Sequence, residues 1–387
     1  MKSPTLCVLL DEDERFGAIS TPIYQTATFR QPAATDWGEY DYSRTANPTR
    51  TQLERKLAQL EHGQYAAAFA SGMAAITAVT RLLESGHEIL ASDDLYGGSV
   101  RLLEQILPRQ GIAVTYVDTT NPDAFVSAVT QRTKLILVET PTNPLLRISD
   151  IAGLAEIAHS NNAILAVDNT MLSPCLQNPL DLGADIVIHS ATKFLCGHSD
   201  VMAGAVITNN EELYKQIAFL QNAEGSSLSP FDSWLLLRGI KTLSLRVERQ
   251  TENALKVAQF LTARPGVKNV YYPGLEDHAG HEIHVRQSTG GGSVISFTTD
   301  NVERSRRFVE ATRLCSIAVS FGSVNSSISL PCYMSHASIP ESMRSRLAPP
   351  ADLVRLSVGI EDVEDIIADL EQAFEAAETD HVLAAVG

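Results

Sequence analysis

Two apolar runs that end in charged or polar residues constrain this chain most. Ile164-Leu165-Ala166-Val167 ends in Asp168, and Ile186-Val187-Ile188 leads into His189-Ser190-Ala191-Thr192-Lys193. Leu135-Ile136-Leu137-Val138, Ala113-Val114-Thr115-Tyr116-Val117, Ala205-Val206-Ile207 and the shorter Ile89-Leu90 repeat the pattern. A strand that is apolar throughout must be covered on both faces. The intervening segments can supply that cover. Leu53, Leu57 and Leu60 form one helical stripe,. Ile151, Leu154 and Ile157 form another, with Asn161-Asn162 to end it. Asn121-Pro122 offers a cap and a first-turn proline,. The expected class is α/β with a mostly parallel central sheet. Ligands in such sheets bind at the carboxyl ends of strands, where Asp168 and Lys193 are expected.

Past this region the pattern changes. Residues 231–263 read as a long helical stretch with Gly239 as a break or kink,. Strands are expected near 293–298, 316–320 and 354–358. A last helix is expected near 361–377, with Val363, Ile366, Ile367, Leu370 and Phe374 on one face,. The 387 residues are too many for one ordinary core,. The expected division is an arm at 1–45, a larger domain at 46–245 and a smaller α+β domain at 246–387. The arm holds Pro22, Pro32, Trp37, Tyr40 and Tyr42 and is expected to contact a neighbouring subunit.

Composition narrows the partners. Thirty basic residues against 46 acidic ones give a formal charge of −16, which argues against nucleic acid or an anionic membrane as the main partner,. No apolar stretch is long enough to span a bilayer. Val8-Leu9-Leu10 runs at once into Asp11-Glu12-Asp13-Glu14, the pattern of neither a signal nor a transit peptide,. The five cysteines, Cys7, Cys175, Cys196, Cys315 and Cys332, show neither metal-ligand spacing nor a disulfide framework,. A reducing cytoplasm is the expected setting. Cys196 reads as buried filler, and His189 and His198 as packing or supporting groups.

A lysine held in a cleft at a strand end favours its neutral, nucleophilic form and can condense with an aldehyde. An acid at the end of a neighbouring strand can keep a pyridine nitrogen protonated. Lys193 and Asp168 therefore suit pyridoxal phosphate (PLP). Ser71-Gly72-Met73-Ala74-Ala75 precedes an apolar helical run, and free N–H groups at such a helix start suit a phosphate,. Ser190, Thr192, Tyr42 and Arg44 can add hydroxyls, a phenol and a guanidinium. Tyr96, in Asp94-Leu95-Tyr96-Gly97-Gly98, lies on a glycine loop that a flat ring can approach,. Arg355 is a charge inside the apolar run Leu353-Val354-Arg355-Leu356, so it needs an anion, either a structural acid or a substrate carboxylate,.

In order and over nearly the whole chain, these segments resemble the cysteine/methionine-metabolism family of PLP enzymes, the cystathionine γ-synthase-like enzymes. The resemblance is carried by Tyr42-Ser43-Arg44-Thr45-Ala46-Asn47-Pro48-Thr49-Arg50, Ser71-Gly72-Met73-Ala74-Ala75, Asp94-Leu95-Tyr96-Gly97-Gly98, Glu139-Thr140-Pro141-Thr142-Asn143-Pro144, Val167-Asp168-Asn169-Thr170, His189-Ser190-Ala191-Thr192-Lys193 and Arg355-Leu356-Ser357-Val358-Gly359. It implies the aspartate-aminotransferase-like fold (PLP fold type I) and a homotetramer built from active dimers. It implies Lys193 and Tyr96 as catalytic residues, with Asp168 on the pyridine nitrogen and Tyr96 stacked on the ring. By the same resemblance Gly72, Met73, Ser190 and Thr192 hold the phosphate, Tyr42 and Arg44 reach it from the neighbouring subunit, and Asn143, Ser320 and Arg355 position the amino-acid end of the substrate.

Within the family, Val319 stands where enzymes of γ chemistry on cystathionine usually have Glu, and Gly98 where methionine γ-lyases usually carry a cysteine. The segments 221–226, 319–324 and 334–340 look most like the plant-type cystathionine β-lyases. The expected activity is β-elimination of L-cystathionine in methionine biosynthesis, in a bacterial cytoplasmic counterpart. The alternatives are a γ-synthase, γ-lyase or methionine γ-lyase activity, a carbon–sulfur lyase on another thioether, or a PLP-binding regulator without turnover.

Overall fold

The computed structural model describes residues 1–9, 16–337, 339 and 341–386, and of 342 and 379–386 the backbone only. Leu10, the acids Asp11 to Glu14, Ser338 and Pro340 lie outside the described residues.

Seven strands form the larger sheet: β1 (Tyr65–Phe69), β2 (Glu88–Ser92), β3 (Ala113–Val117), β4 (Thr133–Glu139), β5 (Ile164–Asp168), β6 (Ile186–His189) and β7 (Gly204–Thr208). Their order is β1-β7-β6-β5-β4-β2-β3. All neighbours pair parallel except β7, which is antiparallel to both β1 and β6. The apolar runs form β2 to β7, and all but one are inner strands, as their composition requires; Ala113–Val117 is the edge strand β3 and is only half-buried over its first three residues. Alternate side chains point to opposite faces. Ala166, Ile186 and Ile188 pack with Ala75, Ile76 and Val79 of helix Gly72–Thr80. Val167 packs with Leu154 and Ala158 of helix Ile151–Ser160 on the other face, and Val187 with Leu53 and Leu57 of helix Pro48–Leu60. The caps read from the sequence form: the Asn121 side chain accepts from the Ala124 N–H, and Ser71 from the Ala74 N–H,.

A second sheet, ordered β10-β11-β12-β9-β8, is built from β8 (Asn269–Tyr271), β9 (Val294–Thr298), β10 (Ser316–Ile317), β11 (Ser327–Ser329) and β12 (Leu353–Ser357). It has its own apolar core, in which Phe297, Phe308 and Phe374 meet. The α/β class with a mostly parallel sheet and a second sheet toward the C-terminus is thus observed.

Three local expectations need correcting. The strand expected at 316–320 stops at Ile317, and Ser320 takes φ +83°. That left-handed turn aims the chain into a cleft rather than along a sheet. The long helical stretch breaks after Ile240, not at Gly239. Gly239 is helical, and it is glycine because a Cβ there would meet the Cys196 carbonyl oxygen at 2.4 Å. The last helix runs from Val363 to Val386, beyond 377. In the arm, Ser3–Val8 is a helix, and Lys56 donates to the Leu6 carbonyl 2.9 Å away. Strand β1 was not foreseen, because Tyr65-Ala66-Ala67-Ala68-Phe69 is alanine-rich and carries no β-branched residue,.

Candidate active site

The cleft lies at the carboxyl ends of β4, β5 and β6, where the second sheet closes over them. It measures about 490 Å³ and is lined by Gly72, Met73, Tyr96, Asn143, Asp168, Ser190, Thr192, Lys193, Ser320 and Arg355, among others. Ten of the twelve residues expected at the site therefore share one cavity. The other two, Tyr42 and Arg44, do not line it. Both are on the surface, with the Arg44 guanidinium 5.5 Å from the Tyr42 ring centroid and donating to the Asn222 carbonyl at 3.3 Å. A wider hollow of about 880 Å³, lined in part by Arg147, Lys268 and His278, lacks the paired lysine and acid.

Each side chain is placed by its element. Asp168 ends β5 beside Ile188 of β6, and its Oδ1 accepts from the Thr170 N–H at 3.0 Å. The Thr170 hydroxyl oxygen accepts from the Ser190 N–H at 2.8 Å and so stitches the two strand exits together. Burial raises the pKa of Asp168, and the Thr170 donors oppose the shift. Lys193 follows β6 and donates from Nζ to the Ser320 hydroxyl. Burial, helped by Arg355, brings Lys193 down to about 8, while Asp168 opposes. This is the electrostatic state that nucleophilic lysines need.

Arg355 comes from β12 and is buried. Its Nη1 donates to Asn143 Oδ1 at 2.9 Å and its Nη2 to the Ser320 carbonyl at 2.8 Å. No carboxylate is among these partners, so the guanidinium keeps capacity for an incoming anion. Burial lowers its pKa to about 10, against the pull of Glu139.

Several contributors carried no sequence signal. The Phe321 ring centroid lies 4.9 Å from Lys193 Nζ and 5.3 Å from the Arg355 guanidinium carbon, so one ring faces both cations,. Glu139 pairs with Asp168 across β4 and β5 and accepts from the Tyr96 N–H at 3.3 Å. Burial, then Asp168 and Asp94, push its pKa well up. Two buried acids side by side favour one proton between them. Burial, with Arg355, lowers the buried His336 to about 4; its neighbours Ser335 and Ala337 line the cleft. The alternation of apolar residues reveals none of these, because each depends on which strands become neighbours. The resemblance segments that contain them, 139–144, 319–324 and 334–340, were the available pointers.

The residues fit PLP. A Cβ on Gly72 would lie 2.8 Å from Ser190 Cβ, so the start of helix Gly72–Thr80 can approach Ser190 only as glycine, leaving helix N–H groups and the Ser190 and Thr192 hydroxyls around a space for a phosphate,. Asp168 stands where a pyridine nitrogen would need a counter-charge, and Lys193 where an aldehyde would be held. Tyr96 is 40% exposed and lies over the cleft. On Gly98 a Cβ would meet its ring at 2.4 Å.

Comparison with known proteins agrees with this arrangement. Residues 5–375 match the family described as "Cys/Met metabolism PLP-dependent enzyme". The chain is 56% identical over 371 residues to a chloroplastic cystathionine beta-lyase of Arabidopsis thaliana, covering 96% of this chain and 80% of that one. It is 49% identical to a cystathionine gamma-lyase of Bacillus subtilis, covering 97% and 100%. The crystal structure of cystathionine gamma-lyase from Lactobacillus plantarum complexed with L-serine superposes with a TM-score of 0.95 at 44% identity, covering 98% and 100%.

Proposed function

Because the chain belongs to the Cys/Met metabolism PLP-dependent enzyme family, we propose that it is a carbon–sulfur lyase that splits L-cystathionine by β-elimination. The products are homocysteine, pyruvate and ammonia, with one water consumed. The observation that carries this reading is the convergence of Lys193, Asp168 and Arg355 in one cleft. When bound, PLP supplies an electron sink for the charge left at the substrate Cα.

The chain's own residues do the rest. Arg355 clamps the α-carboxylate with both guanidinium nitrogens and is itself oriented by Asn143,. The Ser320 hydroxyl, already the partner of Lys193, steadies the amine beside Cα. Lys193 in its neutral form takes the Cα proton. The Cβ–S bond then breaks, and the sulfur leaves as the thiol of homocysteine once it takes the proton that Lys193 carries. With PLP bound, Asp168 would keep the pyridine nitrogen protonated, Tyr96 would stack on the ring, and Gly72, Met73, Ser190 and Thr192 would hold the phosphate.

The rim of the cleft favours β over γ chemistry. Val319 is 61% exposed there and brings no carboxylate that could assist a proton transfer farther along the substrate. The second reading, γ-elimination, has a specific support in the Bacillus subtilis relative. Product analysis separates them: pyruvate with homocysteine supports β-elimination, and 2-oxobutyrate with cysteine would replace it by γ-elimination. Loss of turnover in Lys193→Ala is expected, and full activity in that variant would refute the mechanism.

The reading extends to the assembly. Tyr42 and Arg44 stand outside their own cleft, which suits a homotetramer of paired dimers in which each arm completes a neighbour's phosphate site. It also includes the division at about 45 and 245 and a cytoplasmic setting. Among the described residues, no helix is long and apolar enough to cross a membrane.

A further inference from the structure

Behind the sheet, opposite the cleft, lies a polar contact that the chemistry above does not use. His189 Nε2 and Glu61 Oε1 are 2.5 Å apart, and both side chains are 1% exposed. The same Glu61 oxygen accepts from Asn169 Nδ2 at 2.8 Å. Glu61 sits at the C-terminal end of helix Pro48–Leu60, and Asn178 Nδ2 donates to its Oε2 at 3.4 Å. Asn169 is the first residue after β5 and His189 the last of β6. One carboxylate oxygen thus grips both strand exits at once. Alternation puts Asp168 on the face of Ala166, and His189 on the face of Val187, so Glu61 acts from the rear.

Such a buried contact is costly to form and is weak evidence for stability in itself. Its position is more informative. The residues at these two strand ends, Asp168 closing β5 and residues 190–193 after β6, are the ones that would hold opposite ends of the cofactor. On the cleft side the Thr170–Ser190 bond ties the exits together, along with the Asn169 N–H to the Ile188 carbonyl at 3.0 Å.

We propose that the buried Glu61–His189 contact is a positioning device for the cofactor, setting the spacing between Asp168 at the end of β5 and residues 190–193 after β6. The inference rests on the assignment of those residues to PLP. Neither Glu61 nor His189 touches substrate or cofactor; both act through the strand ends.

The test uses the purified full chain, stripped of cofactor and titrated with PLP while visible absorbance is followed. Deleting one partner of a buried pair can unfold a protein. The main variant is therefore the double change Glu61→Leu with His189→Phe, which leaves no unpaired charge, and Glu61→Gln, which keeps the shape, is measured beside it. Circular dichroism and thermal unfolding confirm a folded chain. The expected result for the double variant is PLP affinity lowered by about tenfold or more, the scale on which lost outer partners loosen metal ligands. Its kcat should fall with KM for cystathionine nearly unchanged, and Glu61→Gln should lie between it and wild type. A folded double variant with wild-type PLP affinity and kcat would overturn the proposal and reduce the pair to a core prop. The wild-type titration is read separately: a wild type that binds no PLP would overturn the cofactor assignment and this inference together.

Discussion

Arg355 and Asn143, 212 residues apart in sequence, meet through a 2.9 Å hydrogen bond from Nη1 to Oδ1. The bond joins the second sheet to the loop that follows β4 of the first. It sets the plane of the guanidinium, and so the direction from which a carboxylate can approach.

Replacing Arg355 with Lys is the direct check on that geometry. A lysine keeps a charge but cannot offer two parallel N–H groups. A charge-assisted bond is worth about 1.5–3 kcal/mol, so KM for cystathionine should rise by roughly 10- to 100-fold. Cofactor absorbance should be retained. Steady-state kinetics with wild-type KM would show that Arg355 does not hold the substrate carboxylate.

The amine of Lys193 makes a second prediction, for the cofactor-free protein. Its pKa in the folded chain is about 8 against an ordinary 10.5, so the neutral form is present from about pH 8 upward. The rate of PLP incorporation should rise with pH with a midpoint near that value. The sign for stability follows from linkage: between about 8 and 10.5 the unfolded chain binds the proton that the folded chain has lost, so stability rises with pH through that window,. Incorporation rates that climb only above pH 10 would contradict this.

Gly72→Ala should weaken PLP binding. The new Cβ would sit 2.8 Å from Ser190 Cβ and 3.0 Å from its Cα, and backbone cannot yield as a flexible side chain can,. The helix start and Ser190 must separate, widening the phosphate site. About a tenfold loss in PLP affinity is expected, on the scale of one weakened charge-assisted contact. Equilibrium dialysis reads it directly.

Val319→Glu tests the choice of reaction. A carboxylate at the rim supplies a proton carrier beyond Cβ, so the share of 2-oxobutyrate among the keto acids released from cystathionine should increase. An unchanged product ratio would mean that the side chain at this position does not select between β and γ chemistry.

Phe308 tests the second core. It is fully buried, with its ring centroid 4.1 Å from that of Phe374 and 5.6 Å from that of Phe297. Phe308→Ala should cost about 3–5 kcal/mol of stability by denaturant unfolding. The cleft residues belong to other elements, so activity at low temperature should persist.

The inner strands of the large sheet were legible in the sequence because they are buried on both faces and therefore apolar without interruption. Lys193 and Asp168 were legible for the same reason: a charge at the end of such a run is costly unless it has a function. The short strands Asn269–Tyr271 and Ser327–Ser329 were not legible, since three residues are too few to show an alternation or an apolar run. Glu61 was missed because a lone acid at a helix end looks like any exposed charge until the packing buries it.

By itself, then, the sequence determined the α/β class, the strand ends that carry the acid and the lysine, and the helix start prepared for a phosphate. These are local consequences of apolar runs, caps and glycine. The tertiary structure alone decided that Arg355 turns toward Asn143, that Phe321 faces two cations, that Glu139 lies beside Asp168 and that Glu61 grips β5 and β6 from behind. Those relations depend on which strands become neighbours and how two sheets close on each other, and contacts between distant segments leave no periodic trace in the chain.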